Sequence, residues 1–298
     1  MSLENPLRSR RVASVGLMAT ALLFLSGCSA EQEGEIKRLA MPVGATKEAP
    51  FVQNLWDGAW LAAMLTGIVV WGLIFFVSWR YRRRSESEIP IQTRYNLPIE
   101  IFYTIAPIMM VIVFFYFTID TQSKVYHDDP DPDETVTVVG QQWSWAFNYN
   151  LGYEEDKQSY EPVGSEEVVH EVGTTAERPT LWLVKDKSVK IYLASPDVIH
   201  SFWVPAFLFK LDVVPGRDNN FVVTPTREGT FEGRCAELCG VYHSRMLFDV
   251  KVVDQEAYDA HLDDLAAAGF TGKATGGEGD IGATAPLEPF ADNGGGEQ

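Results

Sequence analysis

A chain of 298 residues has room for one large domain or two small ones, and a formal charge of −17 excludes a nucleic-acid binder that works on the phosphate backbone. The acid lies late: from Asp120 onward there are 32 Asp and Glu against 13 Lys and Arg, which suits a solvated surface or a docking face for a basic partner. Three cysteines, Cys28, Cys235 and Cys239, exclude a disulfide framework.

Residues 1–27 read as an export signal of the lipoprotein type. Arg8, Arg10 and Arg11 precede an apolar run over 15–25. Leu25-Ser-Gly-Cys28 then resembles a bacterial lipobox, which implies cleavage before Cys28 and a diacylglyceryl group on its sulfur, anchoring the new N-terminus to the outer leaflet. Residues 28–55 read as an extracytoplasmic linker, short and polar over 31–50.

Residues 56–120 read as a two-helix transmembrane hairpin. The apolar stretches at 59–79 and 99–119 each match the ~20 residues that span a bilayer. Trp56, Trp60 and Trp79 sit near the ends of the first, as interfacial aromatics do, and Pro107 falls inside the second. The loop between them holds Arg80, Arg82, Arg83, Arg84 and Arg94 against Glu86 and Glu88. The positive-inside rule places that loop in the cytoplasm and everything after Asp120 outside, in agreement with an exported Cys28. Glu100 stands at the cytoplasmic start of the second span, either as an interfacial charge or as the mark of a proton path.

Residues 121–133 form an acidic connector with Asp128, Asp129, Asp131 and Asp133 among prolines. Strand patterns fill 134–253. Glu134-Thr-Val-Thr-Val-Val139 alternates and is β-branched, and Gln141-Gln-Trp143-Ser-Trp145-Ala-Phe147-Asn-Tyr149 reads as one strand with its aromatics on one face. Residues 150–179 are a polar surface excursion. Strands resume at 180–184, 189–193, 220–224, 229–233 and 246–253, so the region reads as an all-β sandwich or barrel. Residues 254–268 read as an amphipathic helix, and 269–298, rich in Gly, Ala, Thr and acid, as a disordered tail.

The densest chemistry lies in Cys235-Ala-Glu-Leu-Cys239-Gly-Val-Tyr-His243-Ser-Arg-Met246, with His200 upstream in Pro-Asp-Val-Ile-His200-Ser-Phe-Trp. Thiolates, imidazoles and a thioether form a soft donor set that suits copper better than magnesium or calcium. Four arrangements compete. A Cys235–Cys239 disulfide leaves the histidines and Met246 without a task. A Cys2His2 zinc site leaves Met246 idle. A mononuclear blue-copper site leaves one cysteine spare. A binuclear copper site with both thiolates bridging uses the whole set.

The Cys235–Met246 run resembles the CuA motif of subunit II of haem–copper cytochrome c oxidases. The segments Pro196–Trp203, Phe209–Arg217 and Gln142-Trp143-Ser-Trp145 resemble that family too, as does a helical hairpin ahead of a β domain. The resemblance covers roughly residues 56–253 and implies a cupredoxin-like sandwich carrying a CuA centre. It implies that Cys235 and Cys239 bridge two coppers, that His200 and His243 each ligate one, and that Met246 and the carbonyl of Glu237 are weak ligands. It further implies that the Glu237 carboxylate binds magnesium or manganese at a boundary with subunit I, and that Trp143 receives the electron. Glu100 would stand at the mouth of a proton channel, and Asp197 would belong to the docking face for the donor.

The implied activity is that of an aa3-type cytochrome c oxidase in the plasma membrane, with haem in the partner only. Its implied partners are subunit I, subunit III and a c-type cytochrome. The lipobox resembles bacterial forms, including actinobacterial ones, in which the donor is a membrane-bound cytochrome of a bc-type complex. A quinol oxidase subunit would lack the copper ligands. A solitary copper-delivery protein would not need the hairpin with Glu100, and a nitrous-oxide-reducing enzyme would need a large catalytic domain. His127, His170 and His261 match no motif.

Overall fold

The computed structural model describes residues 29–274, apart from residues 90 and 165. The export signal, Cys28 and residues 275–298 lie outside the described residues. The chain divides into two compact units, residues 1–42 and 43–298.

The first unit holds α1 (Ala30–Lys37). Its start is a capping box: the Ser29 hydroxyl accepts from the Gln32 N–H at 3.3 Å, and the Ser29 N–H donates to the Gln32 side chain at 3.0 Å. The stretch read as a linker therefore contains a helix, held by its cap.

The second unit opens with residues 43–48 running along the β domain, and then forms α2 (Ala49–Arg80) and α3 (Leu97–Val125). Pro50 sits in the first turn of α2, where a missing N–H is harmless. The helix starts about ten residues before the apolar stretch because Gln53, Asn54 and Asp57 extend it without adding hydrophobicity. At 32 residues it is about 48 Å long, more than a ~30 Å hydrocarbon layer requires. Both helices expose apolar side chains on all sides, such as Ile68, Phe75, Ile112 and Phe115, and among the described residues they are the two long and apolar enough to cross a membrane.

Among the described residues the β domain has twelve strands: β1 (Glu134–Gln141), β2 (Ser144–Tyr149), β3 (Leu151–Glu154), β4 (Ser159–Pro162), β5 (Val169–Val172), β6 (Thr180–Val184), β7 (Val189–Ala194), β8 (His200–Val204), β9 (Phe209–Val213), β10 (Asn219–Val223), β11 (Gly229–Cys235) and β12 (Leu247–Val253). One sheet has the order β10-β7-β1-β2-β5, the other β6-β12-β11-β8-β9, and β3–β4 form a separate hairpin. Pairing is antiparallel except β1 with β7 and β6 with β12. The sheets share one core. From β2 come Trp145, Phe147 and Tyr149, two residues apart and all buried: Trp145 meets Phe202 of β8 and Phe248 of β12, Phe147 meets Phe248, and Tyr149 packs against Tyr258. Strand β12 shows the same period, with Phe248, Val250 and Val252 buried and their neighbours partly exposed.

Three expectations change in detail. The strand read over 141–149 is interrupted, because Gln142 and Trp143 form the turn between β1 and β2. The excursion at 150–179 contains β3, β4 and β5. The first residues of the tail, 269–274, are held against the domain: after α4 (Gln255–Ala267), the Phe270 carbonyl accepts from His170 N–H at 3.0 Å and Gly272 N–H donates to Val168 at 2.8 Å. The buried Asn148 amide grips Ala274 at both ends, donating to its carbonyl at 3.1 Å and accepting from its N–H at 2.7 Å. An unpaired strand edge accepts any backbone, so composition does not reveal such pairing.

Candidate metal centre

Two strands bring the donors together. His200 opens β8 and Cys235 closes the adjacent antiparallel β11, with Cys235 opposite Phe202. The loop from Cys235 to β12 carries the rest. It is closed at its base by Cys235 N–H to the Met246 carbonyl (3.0 Å) and tied to β8 by Ala236 N–H to Ser201 (3.0 Å). A 3-10 turn over His243–Arg245 presents His243, and Met246 follows, fully buried. Gly240 has φ of +122°, and a Cβ there would come within 3.0 Å of the Trp143 ring, so the loop needs glycine at this point.

The donor atoms form a connected set. His200 Nδ1 lies 3.9 Å from Cys235 Sγ, which lies 3.9 Å from Cys239 Sγ. Cys239 Sγ lies 3.5 Å from His243 Nδ1 and 3.8 Å from Met246 Sδ, and the Glu237 carbonyl oxygen lies 3.2 Å from Cys235 Sγ. The two sulfurs sit in the middle with one imidazole on either side. Both cysteines are free and buried, and 3.9 Å is far beyond a disulfide bond. The ligand atoms of His200, Cys235 and Cys239 all lie within 4.8 Å of one another. Two thiolates flanked by two imidazoles, with a thioether and a carbonyl at the ends, are a complete donor set for two soft ions.

Neighbouring groups fix these donors. Asp197 Oδ1 bonds His200 Nε2 at 2.9 Å, which turns Nδ1 toward Cys235. The same carboxylate accepts from Val198 N–H at 2.6 Å and from Gln142 N–H at 2.7 Å. Burial opposes ionisation of Asp197, but these hydrogen bonds outweigh it and hold the carboxyl below its usual range. Burial likewise opposes a charge on His200, while Asp197 and Cys235 outweigh it and raise its proton affinity. Burial pushes the Cys235 thiol up, yet the His200 imidazole and backbone hydrogen bonds at Glu237 and Ser201 bring it down to about 7. The Cys239 thiol is pushed up to about 12 by burial and by the neighbouring Cys235 sulfur. The surroundings thus favour ionisation at Cys235 and oppose it at Cys239.

The two tryptophans, which the sequence pattern places together, separate here. Trp145 is fully buried, edge-on to His200 at 6.2 Å, and its Nε1 donates to the Met246 carbonyl at 3.3 Å. Gly140 makes room for it, since a Cβ there would fall 2.9 Å from the Trp145 ring and 3.3 Å from His200. Trp143 is half-buried in the turn, T-shaped against Tyr242 at 5.0 Å, and its Nε1 donates to the Cys239 carbonyl at 3.1 Å. Gln142 Nε2 donates to the same carbonyl at 2.8 Å. The sequence singled out Gln142 and Trp145 only as members of a motif and gave neither a role beside the centre; their neighbourhood to Trp143 was the available signal.

The remaining candidates lie apart. The Glu237 side chain is exposed on the loop. Glu100 is in the first turn of α3, where its carboxylate accepts from Asn96 N–H at 2.8 Å, at the far end of a 29-residue helix from the β domain. Cys28 lies outside the described residues.

Residues 134–253, which include the six candidate donors, match the family model described as cytochrome c oxidase subunit II, periplasmic domain. The probable cytochrome c oxidase subunit 2 of Streptomyces avermitilis is 46% identical, over 92% of each chain. This chain belongs to the cytochrome c oxidase subunit 2 family. The cytochrome c oxidase subunit 2 of Corynebacterium glutamicum is 34% identical, over 85% of this chain and 84% of that one. Among solved structures, the periplasmic domain of subunit II of cytochrome oxidase (CoxB) of Bradyrhizobium japonicum is 25% identical over 47% of this chain and 97% of that one, with a TM-score of 0.38. In this chain two apolar helices are followed by a cupredoxin-like β-sandwich that is extracytoplasmic.

Proposed function

We propose that this chain is the electron-receiving subunit of an aa3-type cytochrome c oxidase and that Cys235, Cys239, His200, His243, Met246 and the Glu237 carbonyl hold a binuclear copper centre of the CuA type. The observation that carries this reading is the order of the donors, imidazole–thiol–thiol–imidazole, with the thioether and carbonyl beside it. A zinc clamp or a single copper leaves part of that set unused. When bound, the copper pair supplies reversible one-electron chemistry with no bond made or broken.

The chain's own residues do the rest. Trp143, half-exposed, receives the electron from a c-type cytochrome, and its bond to the Cys239 carbonyl joins it to a ligand residue. Asp197 and the backbone bonds of the loop hold the donors still, so that little rearrangement accompanies a change of charge. Burial of Cys235, Cys239 and Met246 keeps water from the sulfurs. Electrons leave toward haem in subunit I, where oxygen is reduced to water and protons are moved across the membrane.

The exposed Leu238 and Val241 on the ligand loop support a partner surface there. The Glu237 carboxylate, exposed on the same loop, is the proposed ligand to magnesium or manganese shared with that partner. Glu100 at the cytoplasmic end of α3 is the proposed mouth of a proton channel, and Asp197 at the rim of the site the proposed contribution to donor docking. Subunit III and a bc-type complex are further partners, and Cys28 is the proposed lipid anchor, to be read by mass spectrometry of the mature N-terminus. Solubilising the membrane in mild detergent and isolating this chain tests the assignment. Haem co-purifies and reduced c-type cytochrome is oxidised if it holds; a haem-free preparation contradicts it.

A further inference from the structure

The β domain is joined to the membrane hairpin at two places, and only one is the chain's connector after α3. The other is residues 43–48, just ahead of α2. Ala45 N–H donates to the Ala206 carbonyl at 2.8 Å, and the Ala45 carbonyl accepts from Thr226 N–H at 2.8 Å. Lys47 N–H donates to Thr224 at 3.0 Å, and Thr46 bridges antiparallel to Pro225. Arg227 reaches the Val43 carbonyl at 3.1 Å. Ala45, Thr46, Glu48 and Ala49 are all buried, at 0%, 3%, 6% and 1% exposure, which is unusual for a stretch of linker composition. The Glu48 carboxylate accepts from Thr224 N–H at 3.3 Å, and the Thr46 hydroxyl accepts from Ala49 N–H at 3.2 Å, at the first residue of α2.

The exit of the hairpin fastens to the same part of the domain. Val125 at the end of α3 is buried, Tyr126 packs edge-on against Phe209 at 5.2 Å, and Asp128 pairs with Lys190 at 2.8 Å. Thr46, Glu48, Val125, Phe207, Phe209 and Phe221 together line a cavity of only about 10 Å³, so the junction is tightly filled. From here two strands lead directly to the metal ligands. Ala206, which Ala45 holds, closely follows β8, whose first residue is His200; Thr226, also held by Ala45, shortly precedes β11, whose last residue is Cys235. A strand of five to seven residues spans about 16–24 Å.

We infer that residues 43–48 form a clasp that fixes the metal-bearing domain to the membrane helices, with Glu48 and Thr46 as positioning residues for electron delivery to the membrane partner. A domain held by the connector alone could tilt over the bilayer. A second attachment, carried to the ligands by β8 and β11, holds the centre at one height and orientation. Electron transfer falls steeply with distance, so a clasp acts on its rate without touching the metal. The inference rests on the proposed electron-transfer role.

The test uses the full oxidase complex with Glu48→Ala and Glu48→Gln, read three ways: the optical spectrum of the copper centre, amide hydrogen exchange at Lys47 and Thr226, and the rate of electron passage to haem. Glu48→Ala is expected to keep the spectrum, to speed exchange at both amides at least tenfold and to slow electron passage at least fivefold. Glu48→Gln, whose amide oxygen still accepts from Thr224, restores both. If assembly is lost in Glu48→Ala, Thr46→Ala, which removes one hydroxyl, is expected to shift exchange and rate the same way by a smaller factor. Unchanged exchange overturns the clasp, and faster exchange with an unchanged rate overturns the positioning role. A wild-type complex without a two-copper spectrum overturns the metal assignment instead, which the variants are not needed to reveal.

Discussion

Asp197 and Trp143 are the two residues whose neighbours give their roles the most physical content. The Asp197 carboxylate is engaged with His200, Gln142 and Val198, so replacing it with Ala frees the imidazole to rotate and leaves it without its partner. Copper affinity in Asp197→Ala is expected to fall about 10–100-fold, measured by competition with a chelator; an unchanged affinity contradicts the positioning role. Trp143→Gln removes the half-exposed ring but no metal donor. Electron uptake from the cytochrome is expected to slow at least tenfold while the copper spectrum stays intact, and stopped-flow oxidation of the reduced donor measures it. The proposed donors were legible in the sequence as a cluster, because His200, Cys235, Cys239, His243 and Met246 are the soft-ligand residue types at close spacing, and the structure brings their donor atoms together. The choice between Trp143 and Trp145 was not, since it depends on where β1 ends and the turn begins, and alternation alone places both on one face.

Among the elements, the seam between α4 and the β1 end of the sandwich carries a pH dependence. Burial pushes the Glu134 carboxyl up to about 7 from its usual 4.5, with a hydrogen bond from Tyr258 opposing the shift in part. One of its oxygens is buried without a hydrogen-bond partner. The folded state therefore holds this proton more tightly than the unfolded chain. The contribution of Glu134 is complete below pH 4.5, declines as the pH rises to about 7, and is absent above. Glu134→Gln is expected to remove that decline and to stabilise the domain at pH 8 by about 2 kcal/mol after allowance for partial exposure, read from denaturant unfolding at pH 5 and 8. A second element-scale outcome concerns the ordered start of the tail. Ending the chain at Gly269 takes the Ala274 N–H from the buried Asn148 Oδ1, leaves Nδ2 with the Thr137 carbonyl alone and reopens the β5 edge, and is expected to cost about 2 kcal/mol, seen as a lower Tm. The strands and α4 could be read from period and capping. The pairing of residues 269–274 and 43–48 could not, because its backbone hydrogen bonds are open to any sequence and the side chains that join in, such as Asn148 and Arg227, come from distant parts of the chain.

At the scale of the whole molecule, two apolar helices hold a β-sandwich outside the membrane, and the sandwich presents its donors on one loop and one strand end. The hairpin was legible from run length and from the arginines between the spans. What the sequence did not reveal was the double attachment of the sandwich to the hairpin, since the segment ahead of α2 has the composition of a linker and the contacts of an edge strand. The proposed clasp, a loop closed at its base and buried sulfurs would all favour a centre that exchanges electrons with little movement of its surroundings.

The most direct test of this account is the electron paramagnetic resonance and optical spectrum of the full-length chain loaded with copper. A purple species with the unpaired electron spread over two copper nuclei is the predicted result. A blue species with the electron on one nucleus, or a colourless chain that retains zinc in place of copper, would contradict it.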